Sequence, residues 1–227
     1  MTMRTEPGSL YRLLGWLSPA FPVGAYTYSH GLEWAVDAGE VTTEADSRAW
    51  LEGVLVHGGG RSDAILLAHA WRAPDAAAVE TLAELAVALC PSSERRLETT
   101  AQGRAFLEAM RASWPVSRLS WFDALDARAL PYPIAVGVAA AGHGVPLAPT
   151  LLAYLHAFVS NLVSAAVRLV PLGQTAGQRL VAGFERQVHA VAEEAATAPL
   201  DEVGGCALLA DIASMRHENQ YSRLFRS

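Results

Sequence analysis

The stretch from Pro149 to Val170, PTLLAYLHAFVSNLVSAAVRLV, constrains this chain more than any other. Its Leu, Val, Ala, Tyr154 and Phe158 side chains cover nearly the whole circumference of a helix, and Pro149 suits a first turn. A helix apolar on most sides must be buried. A bilayer is the competing place to bury it, but a spanning helix needs about 20 predominantly apolar residues. Here His156, Ser160, Asn161, Ser164 and Arg168 interrupt the run. The expectation is therefore the central core helix of a soluble protein, with no membrane association. His156, Ser160, Ser164 and Arg168 recur every four positions and so share one face. This polar seam is expected to be buried, either hydrogen-bonded to neighbouring helices or lining a wet passage through the fold.

A chain of 227 residues can bury about 70% of its unfolded surface without staples. All 17 positive charges are arginine, against 23 acidic residues, for a net charge of −6. No basic stripe offers the counterion release that nucleic acid would require, so nucleic acid is not expected as a partner. The absence of lysine removes any P-loop, Schiff-base or general-base lysine. Cys90 and Cys206 are isolated, which fits a reducing, cytoplasmic setting. The N-terminal MTMRTEPGSLYRLL has no sustained apolar core of a signal peptide.

In chain order, a short amphipathic helix is expected near Leu10 to Leu17. Pro19, Pro22 and Gly24 then build a rigid loop carrying Phe21, Tyr26 and Tyr28, read either as core plugs or as a docking surface. A second helix ends at Gly39, and Thr43 with Asp46 opens a third through a capping signal. Gly58 to Gly60 reads as a hinge, since the strand and the G-K-[ST] ending of a phosphate loop are missing. Helices follow over Asp63 to Ala73 and Asp75 to Cys90, and then the most charged helix, SSERRLETTAQGRAFLEAMRA, expected to present a solvated face. The small-residue helix IAVGVAAAGHG suits close packing beside the central helix. Thr175 and Gln178 have capping-box spacing before the apolar stripe of Leu180, Val181, Phe184, Val188 and Val191. A last helix covers CALLADIASMRHE.

The reading is all-α: one domain over 1–227, a bundle of about ten helices around the central one, with no linker or repeat to divide it. The seven histidines include no pair at ligand spacing, and neither a nucleophile elbow nor a dinucleotide fingerprint is present. No catalytic residue, metal ligand set or cofactor is expected. Composition and spacing by themselves stop at a soluble α-helical protein, an interaction module being one reading of it.

Four segments go further: SPAFPVGAYTYSHGLEWAVDAGEV, SERRLETTAQGRAF, YLHAFVSNLVSAAVRLVPLGQTAGQ and SMRHENQYSRLFRS. In that order they closely resemble the UreF family of urease accessory proteins. The resemblance implies an all-α, usually homodimeric cytoplasmic protein without enzymatic activity. It also implies binding to UreD (also called UreH) and to the GTPase UreG, in an assembly that delivers nickel to apo-urease. The family's N-terminal signature falls on Gly24, Tyr26, Tyr28, Gly31 and Glu33. Its central signature falls on Pro171, Gly173, Gln174 and Gln178, and its partner-binding C-terminus on His217, Tyr221, Arg223 and Phe225. An alternative role is activation of the UreG GTPase through an exposed arginine.

The tail, residues 219–227, carries Tyr221, Leu224 and Phe225 at helical spacing, with Arg223 and Arg226 as donors. Nine terminal residues bury little by themselves. The tail is expected to be mobile in the free chain and to fold against UreD.

Overall fold

Proline and glycine punctuate the chain often enough to keep its helices short. The computed structural model describes residues 7–126 and 129–226, and these form eleven α-helices and a few short 3₁₀ turns, with no strand among them. α1 spans Pro7–Trp16, α2 Leu32–Asp37, α3 Glu44–His57 and α4 Gly59–Arg72. α5 is Ala76–Ala88, α6 Ser93–Ser113, α7 Tyr132–Gly142 and α8 Leu147–Leu169. α9 (Gln174–Gly183), α10 (Glu185–Ala195) and α11 (Leu208–His217) complete the order. The all-α expectation holds. Residues 1–6 of the segment read for a signal peptide, and Ser227 of the tail, lie outside the described residues.

Local chemistry sets most helix starts. Thr43 accepts from the Asp46 amide while Asp46 accepts from the Thr43 amide, so α3 opens on the capping box expected there. Asp75 and Ser92 cap α5 and α6 through their side chains. The box expected at Thr175 and Gln178 does not form. α9 begins one residue before Thr175, with Gly173 as its uncapped N-cap, which leaves Thr175 inside the first turn. The stripe behind it also belongs to two helices: the chain turns at Phe184, whose ring stays in the core.

The core is built around α4 as much as α8. Ala64 to Ala68 and Ala70 of α4 are all buried, and α7 rides directly on this helix. Only glycine permits that approach, because a Cβ on Gly137 would lie 2.5 Å from the Leu67 carbonyl oxygen. The small-residue helix therefore packs on α4 and α6, not chiefly beside α8 as its composition suggested. Leu151, Leu155, Leu162 and Val163 of α8 join the same cluster. Each leucine-sized side chain taken out of water contributes roughly 1.5–3 kcal/mol.

α8 is long and apolar enough by composition to cross a membrane, but half of its most apolar window is buried inside the fold. The other side is open. His156, Ser164 and Arg168 are exposed and Ser160 is half-buried, so the seam shares one face as expected but is not interior. The physical reason is that Leu152, Phe158 and Val167 are only half-buried, so the apolar circumference was never fully enclosed. Ser160 lies 3.4 Å from His156 Nε2, and Arg168 donates to the carbonyls of Ser164 at 3.2 Å and Tyr26 at 2.7 Å.

Candidate functional site

The charged helix α6 departs furthest from its expected solvated face. Glu94, Glu98 and Gln102, spaced by four, point inward and are buried. Two carboxylates on one buried face need cations and donors from elsewhere, since an unpaired buried charge is costly. Most of those partners come from the two ends of the chain, and Glu98 also takes Arg95 of α6 itself.

His217, at the end of α11, is fully enclosed between two carboxylates. Its Nδ1 is 2.7 Å from Glu94 and its Nε2 is 3.0 Å from Glu33 of α2. A neutral imidazole has one N–H, so only the imidazolium donates to both. Glu33 also accepts from the tail amides of Leu224 at 2.6 Å and Phe225 at 2.9 Å, and Arg223 donates to Glu94 at 2.8 Å. Ser92 and Ser214 share a hydrogen bond of 2.6 Å beside this pair. α11 can lie this close because Gly31, at φ +75°, lacks a side chain: a Cβ there would meet the Ser214 amide at 2.6 Å.

The tail is therefore docked on its own core, contrary to the expected mobility. Its backbone amides find a carboxylate, which solvent-exposed terminal residues usually lack. Phe225 is 4% exposed, packed with Leu32, Ala35, Ala165 and Val170 under the Arg168 guanidinium. The tail is not a helical turn either, and Tyr221 and Leu224 face solvent while Phe225 faces in.

A second cluster lies deeper on α6. Arg95 is paired with Glu98, and His30, in the loop before α2, lies beside both. Burial alone would raise the Glu98 carboxyl, but Arg95 and His30 outweigh it and hold Glu98 down at about 2. Asp63 of α4 accepts from the Tyr154 hydroxyl at 2.9 Å. Asp63 is half-buried, and desolvation by its surroundings pushes its carboxyl up to about 6. Two cavities flank this cluster. One, of about 230 Å³, runs from the seam residues His156, Ser160 and Ser164 to Asp63 and Glu98. The other, of about 180 Å³, lies toward Cys90, Gly204 and Asp211.

The residues carried over from the family signatures fall into two groups. Tyr26, Gln174, Gln178, Tyr221 and Arg223 reach the surface. Tyr28, Gly31, Glu33, His217 and Phe225 are interior and cannot touch a partner directly in this arrangement. They hold α11 and the tail in place. Sequence reasoning missed Glu94, Glu98, Asp63 and His30, although like charges at 94 and 98 stack unfavourably on a solvated helix and were a signal of inward pairing. Among the described residues no group of His, Cys, Asp and Glu side chains could hold a metal ion.

The UreF family model matches residues 41–185. A urease accessory protein UreF of Rhodopseudomonas palustris (strain BisB5) is 56% identical over 98% of this chain and 93% of its own length. Its counterpart in Bradyrhizobium diazoefficiens is 53% identical over 98% of this chain and 93% of its own length. That in Xanthobacter autotrophicus is 55% identical over 97% of this chain and 92% of its own length. Matches at this identity along nearly the whole chain establish that it belongs to the UreF family of urease accessory proteins.

Proposed function

We propose that this chain serves urease maturation as a non-catalytic adaptor, a homodimer that bridges UreD and UreG in the assembly delivering nickel to apo-urease. The observation that carries this reading is an uncovered apolar surface on a locked scaffold. Leu208, Ile212 and Met215 form one stripe of α11, Leu209 lies beside it, and Tyr221 and Leu224 of the docked tail are exposed nearby in sequence. Arg216, Arg223 and Arg226 add charge to this end of the chain. An apolar surface of this kind, rimmed by charge, is typical of a protein interaction site. It is pre-ordered by the Glu33, His217 and Glu94 junction beneath it, so binding need not spend contact energy on folding the tail. Leu10, Tyr11 and Leu14 of α1, a helix that leans on α8, supply a second exposed apolar patch for another partner.

Co-purification of the full chain with UreD and UreG, with and without guanine nucleotide, tests the reading. Both should be retained by the native chain, and Leu209→Ser with Met215→Ser should release UreD while leaving the chain folded. Retention of UreD by that variant would overturn the assignment of this surface. A regulatory role toward the GTPase has its own support, because Arg96 and Arg104 are exposed on α6 with no carboxylate partner among the described residues. An arginine finger is worth about 10³–10⁵ in rate. Loss of GTPase stimulation in Arg96→Ala or Arg104→Ala, with UreG binding intact, would establish that role.

A further inference from the structure

An open groove of about 520 Å³ is lined by α3, by Glu40 and Val41 before it, and by the start of α11. Gly205 brings the end of α3 and the approach to α11 together, since a Cβ there would lie 2.2 Å from the His57 carbonyl oxygen. The lining is largely apolar: Val41 and Val54 are buried, Trp50 is half-buried, and Leu208 and Leu209 are exposed. It contains two carboxylates, Glu40 and Asp46, and no arginine. Asp46 uses one oxygen for the α3 cap, and Glu40 is exposed with no ion pair among the described residues. Gly53 sits well inside α3, where glycine weakens a helix relative to alanine. The free chain has no steric need for it, because an added Cβ would meet nothing within 4 Å. A helix that gives up a side chain on an open groove leaves room there for a backbone from outside.

We propose that this groove receives a basic, apolar segment of the partner that binds the α11 face, with an apolar side chain set against Trp50 and Leu209 and an arginine or lysine beside Glu40. The absent side chain at Gly53 admits the backbone of that segment close to α3. The carboxylates supply the charge selection: they attract a cationic segment and repel an acidic one. A second copy of this chain suits the groove less well, because two-fold pairing of groove with groove would set the same carboxylates against each other. The inference rests on the reading of the α11 face as the UreD surface, and it adds the chemistry by which that face chooses what it binds.

The test titrates purified UreD into the full chain and its variants by calorimetry, at low and at high salt. Gly53→Leu fills the groove with a good helix former, so the thermal midpoint of the free chain should hold or rise while UreD affinity falls roughly tenfold or more. Ala49→Leu, at an exposed position lining the same groove, should weaken UreD in the same way and repeats the test without touching a glycine. Glu40→Arg should weaken UreD several-fold at low salt and less at high salt. Native affinity in Gly53→Leu and Ala49→Leu, with release by Leu209→Ser and Met215→Ser, would overturn the groove and leave the α11 face as the partner surface. Native affinity in all of these variants would overturn both. Unchanged or tighter binding by Glu40→Arg would overturn the basic character of the segment. Sedimentation completes the test: loss of self-association in Gly53→Leu with UreD binding intact would give the groove to a second copy and overturn the proposal.

Discussion

The α4, α7 and α8 packing and the junction between α2, α6, α11 and the tail are both buried, but they are held by opposite means. The first is apolar and close-packed, with Gly137 letting two helix backbones meet. It tolerates exchange of one aliphatic shape for another of similar volume. The second joins Glu33, Glu94, His217 and Arg223 from three distant parts of the chain through charge-assisted hydrogen bonds to two buried carboxylates. Such a network adds less net stability than its contacts suggest, but removing one member leaves another charge buried and unpaired. The apolar region makes the chain fold; the polar junction decides where its C-terminal face sits.

The two regions should therefore fail differently. Glu33→Ala strips His217 and two tail amides of their acceptor and should cost about 3–5 kcal/mol. That loss should appear as hydrogen exchange confined to α11 and the tail. Leu155→Ala, in the apolar region, should cost about 2–5 kcal/mol but lower the thermal midpoint of the whole chain in one transition. If both variants lose protection over the same residues, the two regions are one unit and the distinction fails.

Acidity sharpens the contrast within α6 and α4. Glu98 has its pKa depressed from 4.5 to about 2, so its stabilisation is present above 4.5 and is lost as pH falls through the depressed value. Asp63 has its pKa raised from 3.8 to about 6, so its contribution is full below 3.8 and is lost as pH rises through 6. Asp63→Asn should remove the fall in thermal midpoint between about pH 4 and about pH 7 and leave the acid limb, governed by Glu98, in place. Scanning calorimetry from about pH 2 to about pH 7 reads both limbs. The smallest effect belongs to neither region: Thr43→Ala removes a cap from α3 and should cost about 1 kcal/mol by chemical denaturation.

The fold class was legible because turn chemistry and apolar periodicity act locally. Thr43 with Asp46, the Gly58 break and the small residues of α7 each mark structure within a few positions of themselves. What those small residues pack against was not legible, since contact with α4 or with α8 demands the same composition. The seam failed for a related reason: a spacing of four states that side chains share a face, and not whether another helix covers it. The junction was the least legible part. Glu33, Glu94 and His217 lie as far as 184 positions apart, and each alone reads as an ordinary charged or lone residue. The family resemblance pointed at His217 and Phe225 as contact residues, and in the free chain both lie beneath the surface.

The central claim is that the free chain carries its C-terminal tail already docked, through Glu33. Native-state hydrogen exchange of the Leu224 and Phe225 amides in the isolated chain addresses it directly. Docking through the Glu33 carboxylate should leave both amides protected in the native chain, and Glu33→Ala should return them to the exchange rates of an unstructured terminus. Unprotected amides in the native chain, gaining protection only when UreD is added, would contradict the account and restore a tail that folds on its partner.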